Sequence, residues 1–191
     1  MKKAILLLLI LSGFNLFSQE AETMPEFKKN ELKLNALMLV VGAADITYER
    51  LLNEESGVGI SVFAALDESI YTRFYVSPYY RFYFGKKPAA GFFVEGFGML
   101  NHFDDSYDAY IESYQGFDSM GNPILYQNYY KGKKITDFAL GFGLGGKWVT
   151  KRGIFFEIFG GIGRNLFNSN DNDFYGNTIV GKGSVAIGYR F

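Results

Sequence analysis

The stretch Ile70-Tyr-Thr-Arg-Phe-Tyr-Val-Ser-Pro-Tyr-Tyr-Arg-Phe-Tyr-Phe84 decides the fold. Read at a period of two, Phe74, Val76, Tyr80, Phe82 and Phe84 share one face, and Arg73, Tyr75, Ser77, Tyr79, Arg81 and Tyr83 share the other. Successive strand side chains point to opposite sides of a sheet, so this is a strand with one fully apolar face. The same period returns in Ile135–Val149, where Phe138, Leu140, Phe142, Leu144 and Trp148 oppose Asp137, Ala139, Gly141, Gly143, Gly145 and Lys147. It returns again in Ile179–Phe191, where Val185, Ile187, Tyr189 and Phe191 oppose Lys182, Ser184, Ala186, Gly188 and Arg190. Extended along the chain, the pattern marks eight strands: Leu32–Val41, Asp45–Leu52, Gly57–Leu66, Ile70–Phe84, Gly91–Asn101, Ile135–Val149, Gly153–Arg164 and Ile179–Phe191.

Alternation alone fits a soluble sandwich as well as a barrel. In a sandwich the second face meets water and is rich in Lys, Glu, Thr and Ser. Here that face carries Gly, Ala, Tyr and single charges, which suit the cramped interior of a narrow barrel. The apolar face is nearly free of charge, as lipid contact requires, since Arg or Lys at a bilayer midplane costs about 2–4 kcal/mol. Its exceptions, Arg50 and Arg164, fall near strand ends and can snorkel. The expected architecture is therefore all-β: an eight-stranded, antiparallel, up-and-down transmembrane β-barrel. The inward face then holds five acids, Asp45, Glu49, Glu95, Asp137 and Glu157, and five bases, Arg73, Arg81, Lys147, Lys182 and Arg190. Unpaired charges in a low-dielectric interior are costly, so this balance implies an ion-paired plug rather than an ion path.

Connections agree with an even strand number and both termini on one side. Asn53–Ser56, Gly85–Ala90 and Thr150–Arg152 are short, as periplasmic turns are, whereas His102–Lys134 and Asn165–Thr178 are long, as external loops are. The connections near Gly42–Ala44 and Asp67–Ser69 are short external ones. Pro78 cannot donate to a ladder, so a bulge is expected at that point. The 191 residues include 20 Phe, 14 Tyr and 23 Gly, an aromatic load that an outward apolar surface accommodates. Lys2, Lys3 and the apolar run Ala4–Leu11 read as an export signal over residues 1–18, followed by a periplasmic lead over 19–31. Beyond the signal no apolar stretch reaches the length of a transmembrane helix. There is no cysteine, which removes lipoprotein anchoring, disulfides and thiolate metal sites, and a net charge of −1 suggests no nucleic-acid partner.

Together these features resemble the small eight-stranded outer-membrane barrels of Gram-negative bacteria, the OmpA-like and OmpX-like group. More narrowly, Lys33-Leu-Asn35, Tyr48-Glu49-Arg50 and a leader ending in Phe17-Ser18-Gln19 resemble outer-membrane barrels of the Bacteroidota that have no assigned function. The resemblance covers about residues 31–191 and implies a place in the outer membrane, contact with its lipid and lipopolysaccharide, and no catalytic residues to carry over. The C-terminal Tyr189-Arg190-Phe191 resembles the signal read by the barrel assembly machinery.

Other motifs are weaker. Gly141-Phe-Gly143-Leu-Gly145-Gly146-Lys147 fits two nucleotide motifs by letters, but Trp148-Val149 continues a strand where a helix is needed, and Trp148 stands where Ser or Thr would bind magnesium. Lumen-facing glycine is the default, and no cofactor is expected. Asn168-Ser-Asn170-Asp-Asn172-Asp173 fails the hand-type calcium pattern at its sixth and twelfth positions, Asp173 and Ile179. His102, beside Asp104 and Asp105 with Ser106 nearby, opens the longest loop and is read as a solvated histidine, with a lipid A-modifying enzyme as the alternative. Tyr107, Tyr110, Tyr114, Tyr126, Tyr129 and Tyr130 give that loop a surface suited to an external protein or glycan; a strand extension packed by its own aromatics is the other reading. The function expected is a non-enzymatic structural or adhesive one through these tyrosines; a small pore is a further alternative.

Overall fold

The computed structural model describes residues 28–104, 110–130, 134–167 and 178–191. The elements are β1 Asn30–Asn35, α1 Ala36–Val41, β2 Ala43–Leu51, β3 Ser56–Ala65, β4 Thr72–Tyr83, β5 Gly91–Asp104, β6 Tyr110–Phe117, β7 Pro123–Tyr130, β8 Lys134–Val149, β9 Ile154–Asn165 and β10 Ile179–Arg190. Eight of the strands form a closed antiparallel barrel in the order β1-β10-β9-β8-β5-β4-β3-β2, and β6 and β7 form a separate two-stranded ribbon inserted between β5 and β8. Closure runs through β1, which pairs with β10 on one side and β2 on the other. Asn30 and Phe191 exchange backbone hydrogen bonds of 3.1 and 2.8 Å, so both ends of the barrel chain lie at one rim. The tight turns 52–55, 84–90 and 150–153 share that rim, and α1, the 66–71 turn and the ribbon lie at the other.

The alternation is realised as two faces. The odd positions of β4 from Tyr75 onward, and those of β5 and β8, point inward, and Phe82, Leu100, Leu140 and Phe142 point out. Phe142 is 63% exposed, whereas Glu157 on the adjoining strand is 1% exposed. That is the inverse of a soluble core.

Four expectations need correction. Leu32–Val41 is not one strand: it breaks at Asn35, whose Oδ1 accepts from Met38 N at 3.4 Å, and six residues wind into α1. Gly42 ends the helix at φ 100°, its N–H reaching Met38 O at 3.1 Å and Leu39 O at 3.3 Å. An N-cap and a left-handed glycine close enough together override the strand preference of Leu and Val. Second, β1 begins at Asn30, inside the stretch expected to be a lead. Third, Pro78 causes no bulge. It keeps its partner Ile60 on β3, and on the β5 side the register of Val76↔Leu100 resumes unchanged at Tyr79↔Phe97. Between these, the pairs of Ser77 and Pro78 drop out of that ladder, so the ring costs two rungs and no change of register. The irregularity in β4 lies instead between Thr72 and Phe74. Fourth, residues 102–134 are not a loop throughout, because β5 runs on to Asp104, β8 starts at Lys134, and the ribbon occupies most of the space between.

Candidate functional site: the lumen and the outer rim

The lumen is filled by charge and aromatic rings. Among the described residues its buried charged side chains are six acids, Glu31, Asp45, Glu49, Glu95, Asp137 and Glu157, and five bases, Lys33, Arg81, Lys147, Lys182 and Arg190, none more than 8% exposed. Arg81 stands at the centre. Its Nε donates to Glu95 at 2.6 Å, its Nη1 to Glu157 at 2.6 Å and to Glu49 at 3.2 Å, and its Nη2 to Glu157 at 2.9 Å. The guanidinium lies 4.2 Å from the Phe93 ring centroid and 4.6 Å from that of Tyr79, so its planar faces are covered by aromatic faces. Lys33 reaches Glu157 at 2.6 Å, and Lys182 reaches Glu95 at 2.8 Å and Ser77 at 3.2 Å. Toward the terminal rim Lys147 donates to Glu31 at 2.6 Å and to Tyr83 Oη, which in turn donates to Glu49. Arg190 also holds Glu31, at 2.7 Å, and donates to Pro88 O and Ala89 O at 2.9 and 2.7 Å. That last pair of bonds ties the 84–90 turn across the end of the barrel.

Glycines make the room. A Cβ on Gly141 would stand 2.3 Å from a Phe97 ring atom, one on Gly143 2.5 Å from Phe159, and one on Gly145 2.3 Å from Phe93. The nucleotide-like letters of β8 are therefore sockets for three rings. Side chains fill a barrel of this strand number, and here they pair nearly every charge as well.

The sequence had placed Asp45, Glu49, Arg73, Arg81, Glu95, Asp137, Lys147, Glu157, Lys182 and Arg190 in one lumen network. The structure brings Glu49, Arg81, Glu95, Lys147, Glu157, Lys182 and Arg190 into linked ion pairs. Asp45 and Asp137 point inward nearer the outer rim. Asp45 accepts from Asn35 at 2.9 Å and Tyr75 at 3.2 Å, while Asp137 accepts from the backbone N–H groups of Phe138 and Phe167 at 2.6 and 3.0 Å. Arg73 is a correction. The register shift between Thr72 and Phe74 reverses its parity, and it donates to the carbonyls of Asp67 and Glu68 at 3.0 Å each, outside the network. Glu31 and Lys33 are members that the sequence reading missed. The run Glu31-Leu-Lys33-Leu alternates as the other strands do, and starting the first strand one residue earlier would have found Glu31.

At the outer rim His102 is a strand residue, not a loop residue. It pairs with Phe74 and Thr136 in the two ladders, and its Nδ1 lies 2.8 Å from Thr136 Oγ1. With Glu68, Arg73, Asp104 and Lys134 it lines an outward hollow of about 390 Å³. Lys134 and Asp104 pair there at 3.3 Å. Ser106 lies outside the described residues, as do Tyr107, the residues 168–173 considered for calcium, and the whole of 1–27. In the ribbon, Tyr110 is opposite Tyr130, Ile111 opposite Tyr129, and Tyr114 opposite Tyr126. The rings of Tyr114 and Tyr126 stack at 5.3 Å. The ribbon's turn is fixed by Asp118, whose Oδ1 accepts from the N–H groups of Met120 and Asn122 at 2.8 Å each, with Gly121 at φ 84°.

No protein-family model matches the chain, and no curated protein matches it. Among solved structures it is similar to the N-terminal β-barrel domain of Pseudomonas aeruginosa OprF, at 12% identity and a TM-score of 0.47, over 86% of this chain and 98% of that one. What the chain's own ladders establish is a closed, eight-stranded, antiparallel barrel with an apolar exterior and an ion-paired interior.

Proposed function

We propose that this protein is an outer-membrane barrel, exported by the leader at residues 1–18, whose role is structural and adhesive rather than enzymatic or conductive. The inversion of the two faces carries the reading: large apolar side chains such as Phe142, Leu140 and Ile162 face outward, while the charges are sealed inside. Bilayer hydrocarbon is the medium that rewards such an exterior. A lumen crossed by the bonds of Arg81, Lys147 and Arg190 leaves a pore reading without a path. The histidine on which an enzymatic reading would rest serves as a rung between β5 and β8 through Thr136. Arg73 and Lys134 sit at the outer edge of the apolar face, at the height where lipopolysaccharide headgroups would meet them, and the last strand ending at Phe191 is the part offered to the assembly machinery.

The β6–β7 ribbon is the contact surface in this account. It forms a sheet of its own, apart from the barrel ladder, and Tyr114, Phe117, Met120, Leu125 and Tyr126 are all exposed. Aromatic and Met side chains of this kind favour protein or glycan partners. Deleting residues 107–130 tests the division of labour. The shortened chain should still give a folded barrel in membranes, and vesicles carrying it should lose binding to a glycan array and to host-cell surfaces. Binding retained by the shortened chain, or loss of the barrel itself, would contradict the reading.

A further inference from the structure

The barrel wall is not equally tall all the way round. On β8 the outward apolar run from Phe138 to Trp148 covers ten residue steps. At about 3.4 Å per residue and a tilt of about 40°, that is about 26 Å of height, close to the apolar band of about 25 Å that such barrels present. On β2 the outward set is Ala44, Ile46, Tyr48 and Arg50. Counted down to Leu52, the exposed residue just after the strand, it reaches about 21 Å, about 4 Å short of the band. β1 is shorter still, ending at Asn35 with Leu32 and Leu34 outward.

α1 sits where the wall falls short. The segment Ala36–Ala44 has no polar side chain in nine residues, although it forms an external connection. Only Met38 turns toward the buried cluster, and Leu37, Leu39, Val40 and Val41 are exposed, Val40 by 66%. The next connection at this rim, by contrast, is polar, with Asp67, Glu68 and Ser69. α1 is also held rigidly rather than left as a loop. Asn35 anchors its start through Val185 N at 3.2 Å and Gly183 O at 3.0 Å, and Gly42 O takes Leu66 N at 2.9 Å at its end. Leu66, itself 69% exposed, is thereby brought to Gly42, the residue that ends the helix.

We propose that α1 is buried in the outer leaflet, where its Leu37, Leu39, Val40 and Val41 face lipid acyl chains and complete the hydrocarbon belt that β1 and β2 leave unfinished. This rests on the membrane reading above. Asn35 before α1 stands level with Asp45 and Gly42 after it leads into Ala43, so α1 lies along the rim, where a helix with its side chains is about 10–12 Å across and covers the shortfall. The occupant is hydrocarbon rather than a partner protein because the exposed apolar side chains run on into Ile46, Val62 and Phe74 below, while the charges of Asp67 and Glu68 stay in the turn beside Gly42. The helix would thus serve as a wall extension, allowing short strands without thinning the bilayer on one side.

The chain contains no cysteine, so single-cysteine variants carry one environment-sensitive fluorophore each. Val40→Cys and Leu39→Cys are labelled and folded into vesicles of phosphatidylcholine or of dibrominated phosphatidylcholine, with Phe142→Cys as the control on the belt and Met120→Cys on the ribbon. Heat-shifted gel mobility selects folded barrels for each. Bromolipid should remove most of the fluorescence at Val40 and Leu39, to the extent seen at Phe142, and leave Met120 unchanged. Quenching at Phe142 with Val40 and Leu39 open to aqueous iodide would overturn the proposal while leaving the membrane reading in place. Shielding of both helix sites from bromolipid and iodide alike would overturn it too, by putting a second copy of the chain over α1. A Phe142 site untouched by bromolipid would bring down the membrane reading, and this inference with it.

Discussion

Arg81 and Glu157 meet across the lumen as a two-pronged pair, with Nη1 at 2.6 Å from one carboxylate oxygen and Nη2 at 2.9 Å from the other, although they stand on β4 and β9 with two strands between them. Such a pair couples distant parts of the wall. Removing one partner leaves a buried charge without compensation, which costs about 3–5 kcal/mol, whereas replacing both by apolar groups costs less. Glu157→Gln should therefore destabilise the folded barrel by about 3–5 kcal/mol, and Arg81→Met with Glu157→Leu by less than either single change. Lys33, which loses Glu157 in both, keeps Glu49 at 3.7 Å. Urea titration followed by gel mobility measures both effects.

Glycine sockets give a second prediction with its own control. Gly145→Ala puts a methyl group 2.3 Å from a Phe93 ring atom, but Gly160→Ala meets nothing within 4 Å. Neither glycine has a left-handed φ, so the contrast is steric. Overpacking should cost Gly145→Ala about 1–3 kcal/mol, and Gly160→Ala should stay near the parent stability in the same titration.

The caps of α1 give a third. Gly42→Ala places a Cβ at φ 100°, and a non-glycine residue there costs about 1–2 kcal/mol. Asn35→Ala removes an N-cap worth about 1 kcal/mol and also takes a donor from Asp45. Both variants should lower the urea midpoint, with a greater loss of amide protection at Met38 and Leu39 than in the barrel strands. Equal protection with either cap removed would show that packing alone holds the helix.

The ribbon turn responds to pH. The Asn122 side chain, then the backbone N–H groups of Asn122, Met120 and Gly121, hold the Asp118 carboxyl below the usual carboxylate range. A carboxyl lowered in the folded state stabilises above its unfolded value, and that contribution is lost as pH falls through the lowered one. The Met120 and Asn122 amides should therefore stay protected from pH 8 down to the ordinary aspartate range near about 4 and become labile below it. Asp118→Ala should abolish that protection at every pH, as hydrogen exchange followed by NMR will report.

The alternation in β4, β8 and β10 was legible because a two-faced wall writes its environment onto every second residue. Phe142 and Lys147 could be assigned to opposite faces from their positions alone. What the sequence concealed were the places where a local device breaks that parity. The Asn35 cap and Gly42 turn an apolar run into α1. The shift between Thr72 and Phe74 moves Arg73 out of the lumen although Arg81, on the same strand, stays in. Pro78, the evident candidate for a bulge, is absorbed with its register intact. The partners of Gly141, Gly143 and Gly145 were not legible at all, because which ring fills which socket depends on how strands distant in sequence face one another across the lumen.

The central claim is that this chain is a closed barrel held in a membrane by its outward apolar face. Its most direct test is the outer-membrane fraction of cells expressing the protein, run on a denaturing gel with and without boiling. The account predicts that the protein is found in that fraction and migrates faster unboiled than boiled, as a sealed, ion-paired barrel resists the detergent until heated. Recovery in the soluble fraction, with one mobility under both conditions, would contradict it.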